Sequence, residues 1–214
     1  MKNVKNKRTN ILYGQADPLP VMEHFYTLQG EGAWTGEPTY FVRLAGCDVG
    51  CHWCDVKDSW TVDENQYYPT TDILSWISET GAKRVVITGG EPSIYDLTLL
   101  TDRLHEAGLL VHIETAGPHP LQGSLDWICL SPKKFLPPLS EYYEKADELK
   151  IIIYNQHDFK WAEMHAEKCA SNCILFLQPE WSKREQVTPM IIDYIKQNPK
   201  WRLSQQTHKY LDIP

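Results

Sequence analysis

The chain has 214 residues, 42% of them apolar and 23% charged, with a net charge of −7 and a pI near 5.6. That is enough chain for one sizeable globular core, and the acidic total argues against a domain built mainly to hold a nucleic-acid backbone. The basic start "MKNVKNKRTNILYG" lacks the apolar run of roughly 7–15 residues that a secretory signal needs, and no stretch approaches the ~18 apolar residues of a membrane span. A cytoplasmic protein with no nucleic-acid or membrane partner is therefore expected, and its six cysteines are not read as a disulfide framework.

In chain order, residues 1–22 form a candidate flexible extension, and the segment "FYTLQGEGAWTGEPTYFVRLAGC" follows from Phe25. It contains the first expected strand, Tyr40–Leu44, and leads into the loop "AGCDVGCHWCDVKDSW". Thr70 or Thr71 is a candidate cap for a helix that Gly81 would end. A strand is expected at Arg84–Thr88. The helix carrying Leu97, Leu100, Leu104 and Ala107 follows, with Gly108 where a C′ glycine belongs. Further strands are expected at Leu109–Ile113, Trp127–Leu130, Leu149–Tyr154 and Cys173–Leu177, with Trp201–Ser204 as one more candidate. Helical spacing joins Phe159, Ala162, Ala166 and Cys169, and again Val187, Ile191 and Ile195.

Alternating strands and helices imply an α/β fold with a mostly parallel sheet and right-handed crossovers. The strands are apolar on both faces, as buried parallel strands are. Six or seven such units are too few for a closed eight-fold barrel, so the expectation is one domain over 1–214 built as a partial barrel or an open sheet. The polar segments all follow strands: the cysteine loop, "TGGEP" at Thr88–Pro92, "ETAG" at Glu114–Gly117, "SPKK" at Ser131–Lys134 and "QPE" at Gln178–Glu180. Five such segments at C-terminal strand ends predict one composite site.

Cys47, Cys51 and Cys54 follow a C-x3-C-x2-C spacing with no fourth cysteine nearby. Thiolates suit zinc and iron–sulfur clusters. Zinc takes four ligands, or three and water, and His52 is awkward as a fourth because it adjoins Cys51. A [4Fe–4S] cube on three cysteines leaves one iron open to a small molecule. Cys129, Cys169 and Cys173 read as buried free thiols rather than a second cluster. Trp34 and Trp60 flank the motifs and could wall the site or simply pack.

On these residues the chain resembles the radical S-adenosylmethionine (SAM) superfamily, whose C-x3-C-x-aromatic-C signature is matched by Cys47, Cys51, Trp53 and Cys54. The resemblance implies that SAM chelates the open iron and is split to a 5′-deoxyadenosyl radical. With "LQGEG", "VVITGGEP", "HIETAG", "SPK" and the tail "WRLSQQTHKYLDIP", the chain is similar to the 7-carboxy-7-deazaguanine synthase family from about Phe25 to Pro214. That resemblance implies an α/β fold with a modified partial (βα) barrel of about six parallel strands, and a lyase that is a homodimer with its tail at 205–214 docked at the substrate site. It acts in queuosine biosynthesis, contracting the ring of 6-carboxy-5,6,7,8-tetrahydropterin with loss of ammonia. A reducing partner such as flavodoxin or ferredoxin is implied too.

By the same resemblance, Trp53, Cys54, Asp55, Gly90, Glu91, Glu114, Ser131, Pro132, Lys133 and Gln178 fall on the SAM side. Leu28, Gln29, Gly30, Glu31, Arg43, Thr88, His208 and the α-carboxylate of Pro214 fall on the substrate side. Arg43 suits a carboxylate clamp, since guanidinium binds carboxylate bidentately. The family also uses Mg2+ through a threonine two positions after the last cysteine; Val56 stands there, so that protein ligand is missing. Readings left beside this one are another radical SAM enzyme, such as a glycyl-radical activase, and a non-catalytic cluster- or zinc-binding module.

Overall fold

A computed structural model describes residues 11–214. The first ten residues of the expected N-terminal extension lie outside the described residues. The rest of that extension runs straight into structure: strand β1 begins at Leu19, which is fully buried.

One nine-stranded sheet organises the chain. Its strands are β1 (Leu19–Leu28), β2 (Pro38–Leu44), β3 (Tyr67–Tyr68), β4 (Arg84–Gly89), β5 (Leu110–Thr115), β6 (Trp127–Leu130), β7 (Glu148–Ile153), β8 (Ile174–Pro179) and β9 (Trp201–Leu203). The order is β3-β1-β2-β4-β5-β6-β7-β8-β9. From β2 through β9 every neighbouring pair is parallel, so the run of parallel strands includes β9, the candidate at Trp201. The sheet does not close, as a partial barrel requires.

β1 and β3 were not expected from sequence. "LPVMEHFYTL" interrupts its apolar residues with Pro20, Glu23 and His24, so it lacks a buried strand's continuous run. Antiparallel pairing with β2 makes it a strand: Leu28 lies opposite Pro38 and Val21 opposite Leu44.

The helices are α1 (Thr70–Ser78), α2 (Thr98–Glu106), α3 (Ser140–Lys145), α4 (His157–Ala166), α5 (Arg184–Gln197) and α6 (Thr207–Leu211). Neither threonine caps α1 through its side chain. Asp17 reaches across instead and accepts the Thr70 N–H at 2.7 Å, a cap from a distant loop that local pattern cannot reveal. α1 also stops at Ser78, short of Gly81. α4 ends at Ala166, leaving Cys169 in the turn beyond it, whereas Gly108 does adopt the positive φ of a C′ residue. The apolar stripes of α2 and α5 place Leu100, Leu104, Val187 and Ile191 in the core.

The segment from Gln29 to Glu37 joins the antiparallel β1 and β2 but does not turn tightly. It crosses to the far side of the open barrel. The Gly32 N–H donates to Ser204 Oγ just after β9 (3.0 Å), and the Ala33 N–H donates to Glu148 at the start of β7 (2.9 Å). Trp34 packs under Arg84, whose guanidinium carbon lies 4.0 Å from the ring centroid, and against His112 and Trp127. This anchoring fixes the crossing segment.

Arg84 Nε donates to His112 Nε2 at 3.2 Å, so that nitrogen must be the acceptor of a neutral ring. Burial, aided by the Arg84 charge, pushes His112 down to about 4 from 6.5, and burial with Lys168 pushes His165 to about 4. Both folded-state values lie below the unfolded one. Their contribution is therefore complete above about pH 6.5 and is lost as the pH falls toward 4. Urea denaturation is expected to show stability falling steeply between pH 6.5 and 4.5, with His112→Asn flattening part of that slope; identical slopes for variant and parent would contradict the assignment.

Candidate active site

The C-terminal strand ends surround a cleft of about 400 Å³. Every candidate residue named from sequence lines it except Pro132, which is buried behind the wall. Val56 lines it too, as does Trp60, while Trp34 belongs to the packing beneath.

On one side stands the cysteine loop. Cys47 and Cys51 are buried and Cys54 is half-buried, packed with Val49, Ala116, Trp53 and Trp60. The loop is clamped by "TGGEP": the Gly90 N–H donates to Leu44 O and the Glu91 N–H to Gly46 O, both at 2.9 Å. A Cβ on Gly90 would lie 2.3 Å from Gly46 O, so only glycine permits this approach of two backbones. Glu91 is 2% exposed, and Ser93, Thr115 and the Ala116 N–H already donate to it. It ties the β4 and β5 ends together, and Oε2, with one donor, keeps capacity for a ligand.

The donor set fits an iron–sulfur cluster. Burial pushes the Cys47 thiol up to about 11 and raises Cys51 as well, so thiolates here call for a bound cation. His52 is exposed, set edge-on to Trp53, Phe135 and Tyr154, and does not line the cleft. Among the described residues no three His, Cys, Asp or Glu groups converge on a single point as a ligand set for one metal ion. Cys129 is buried in β6, and Cys169 and Cys173 lie on the α4–β8 connection, all away from the cleft lining.

Beside the cysteines, Lys133 Nζ donates to Ser131 O and Oγ, both at 2.6 Å, and lies 5.8 Å from the Trp53 ring centroid. Burial lowers the Lys133 pKa. Gln178, 2% exposed, accepts from Ser204 Oγ at 2.6 Å.

The opposite wall is the crossing segment. Gln29 Nε2 donates to Glu114 (3.2 Å), and Glu31 pairs with Lys150 (2.5 Å). The tail docks on it: the Thr207 N–H and Oγ1 both donate to Gly30 O, Gln206 donates to Glu31 (2.9 Å), and Lys209 pairs with Asp55 (2.7 Å). A Cβ on Gly30 would sit 2.3 Å from His208 Nδ1, so the histidine occupies the space that glycine leaves. Burial lowers the His208 pKa. Pro214 reaches the cleft, as does Thr88 from β4. Arg43 is partly claimed: its Nε donates to Glu23 at 2.5 Å. Among the described residues no hydrogen bond engages its Nη1 or Nη2, which remain as a fork.

Sequence reasoning missed Lys150, Gln206 and Lys209, which line the cleft, and Glu148 beneath it. The only available signal was Lys150 itself, a charge inside the apolar strand "ELKIII". Burial alone would raise the Glu31 pKa, but the Lys150 ammonium outweighs it and holds the carboxyl well below the usual range. Glu148 is raised by burial.

A parallel, unclosed α/β sheet with three thiols after its first parallel strand defines a radical SAM type of protein. Residues 41–154 match the family model of the Radical SAM superfamily. The chain is 56% identical over 97% of its length, and 99% of the relative's, to a 7-carboxy-7-deazaguanine synthase of Flavobacterium psychrophilum. It is 45% identical to one of Synechocystis sp., over 91% of this chain and 93% of that one. The solved structure of QueE from Escherichia coli superposes with a TM-score of 0.81 at 34% identity, covering 89% of this chain and 94% of that one. The chain belongs to the 7-carboxy-7-deazaguanine synthase family of the radical SAM superfamily.

Gly30→Ala is expected to displace His208 and loosen the tail. Limited carboxypeptidase digestion should then release C-terminal residues several-fold faster than from the parent chain; equal rates would show that the tail does not depend on this contact.

Proposed function

We propose that this chain converts 6-carboxy-5,6,7,8-tetrahydropterin to 7-carboxy-7-deazaguanine with loss of ammonia, a step in queuosine biosynthesis; the product is the one the relatives' names carry. The observation that carries the reading is the meeting of two walls in one cleft. The cysteine loop forms one, and the Gln29–Glu31 segment with the docked tail forms the other. A glycyl-radical activase, whose substrate is a protein, gives no reason for that second wall.

Cys47, Cys51 and Cys54 would hold a [4Fe–4S] cluster, with SAM beside them. When bound, these groups supply the 5′-deoxyadenosyl radical by one-electron cleavage of the sulfonium. Gly90 lets the backbone close on the cofactor, and Glu91 Oε2 offers an acceptor. Trp53, Asp55, Glu114, Ser131, Lys133 and Gln178 complete that side; Pro132, off the wall, is left out. The Arg43 fork binds the substrate carboxylate. Leu28, Gln29, Gly30, Glu31, Thr88, His208 and the Pro214 carboxylate surround the pterin. Phe25, Phe41, Trp60 and Trp181 supply apolar wall that keeps water from the reacting atoms.

Mg2+ does not fit this wall well. Val56 has no oxygen to offer, and Asp55 is already engaged by Lys209 and Gln206. The enzyme therefore works without a protein-bound Mg2+ at this position. A one-electron donor of the flavodoxin or ferredoxin kind and a homodimer complete the reading. The homodimer is supported by apolar side chains left exposed on α5 and α6: Ile192, Tyr210 and Leu211.

Anaerobic reconstitution with iron and sulfide, followed by reduction with SAM and the pterin, should yield the carboxydeazaguanine. A loaded protein that cleaves SAM but leaves the pterin intact would overturn the substrate assignment. Cys51→Ala should lose the cluster's visible absorbance and keep its circular dichroism. Arg43→Ala should raise KM for the pterin by about tenfold or more, the scale of a lost charged hydrogen bond.

Chelator-treated enzyme should turn over nearly as well without Mg2+ as with it, and Val56→Thr should introduce Mg2+ activation. A large saturable activation of the parent enzyme would disprove the Mg2+ reading.

A further inference from the structure

Four polar residues of the cleft form a closed ring, one link of which is a backbone N–H. The Glu31 N–H donates to Gln29 Oε1 (3.0 Å), and Gln29 Nε2 donates to Glu114 Oε1 (3.2 Å). Lys150 Nζ then donates to Glu114 Oε2 (2.7 Å) and to Glu31 Oε2 (2.5 Å). All four residues line the cleft. Lys150 is 3% exposed at its side chain, against 14% for Glu31 and 22% for Glu114. The cation lies at the base, and the two carboxylates stand between it and the ligand space.

We propose that Lys150 is a positioning residue for the substrate: its ammonium fixes Glu31 as a charged acceptor for the pterin's N–H groups and couples it to Glu114 on the cofactor side. The proposal rests on the function given above. An ammonium buried between two carboxylates sets the orientation of both, and a carboxylate held as Glu31 is, if left unpaired, protonates. Glu31 is the member that depends on it most. Its other oxygen accepts the Gln206 amide, and Gln178 also donates to the carboxylate; the titratable groups around it are Glu114 from β5, which shares Lys150, Glu148 from β7 beside that lysine, Asp55 from the cysteine loop, and His208 and Lys209 of the tail. Three of these are further carboxyl groups, and burial disfavours charge on His208. Among the described residues Lys150 is the cation that pairs with Glu31, whereas Lys209 pairs with Asp55. Without it, burial and like charges together raise the Glu31 pKa, and an acceptor becomes a donor aimed at the substrate's own donors.

The test is anaerobic calorimetry of the pterin binding to the cluster- and SAM-loaded protein at pH 6, 7.5 and 9. The parent protein is expected to hold its affinity across this range on the acid side. Lys150→Met should lose about tenfold or more at pH 6 and recover as pH rises. Glu31→Gln keeps the side chain's size and folds around the same lysine; it should lose a similar factor at every pH. In the double variant the losses should not add.

Lys150→Met with parental affinity, or with a loss independent of pH, would overturn the proposal. So would Glu31→Gln binding like the parent, which decides the matter even if Lys150→Met does not fold. Failure of the functional reading looks different: the parent protein itself would not bind the pterin.

Discussion

The molecule's central problem is that its barrel is open. Seven parallel strands cannot close on themselves, so something must tie the two edges together if strand ends on both sides are to share one ligand. The segment from Gln29 to Trp34 does this, and the buried Lys150 ammonium holds it at the centre. Breaking a buried ion pair of this kind by removing one partner typically costs about 3–5 kcal/mol, because the other charge is left behind. The arrangement therefore resists piecemeal change. It places a carboxylate from the β1–β2 connection beside one from β5, on a base supplied by β7.

The tail depends on the same tie. Thr207 binds Gly30 and Gln206 binds Glu31, and beyond them Lys209 and Tyr210 pack on Trp181. Once seated, the tail reaches back across the cleft through Lys209 to Asp55, next to the last cysteine. The crossing segment, the tail and the cysteine loop are thus mechanically one unit. The Asp55 carboxylate is thereby engaged by the tail, which supports the proposal that Mg2+ has no protein ligand here.

Much of the architecture was legible in the sequence. The interior parallel strands are continuous apolar runs that must be buried on both faces, and helical spacing marked α2, α4 and α5. The cysteine loop was legible for a different reason, since ligand spacing over eight residues is nearly a covalent matter. β1 was not legible, because a half-polar strand acquires its form only by pairing with β2. The α1 cap was missed because Asp17 lies 53 residues from its partner. Arg43 shows partial legibility. Its position on the strand was apparent, but the claim of Glu23 on Nε, which leaves only the two Nη groups free, was not.

By itself, then, the sequence determined the α/β class, the three closely spaced cysteines with no fourth and the strand-end location of the cleft. These follow from local periodicity, adjacency and side-chain chemistry, which need no knowledge of distant neighbours. Only the tertiary structure decided which charges meet. Glu31 and Lys150 are 119 residues apart, and Glu114 and Lys150 are 36 apart. No local pattern encodes such pairings; they exist because the open barrel must be bridged, and the low-dielectric interior admits a lysine only where carboxylates surround it.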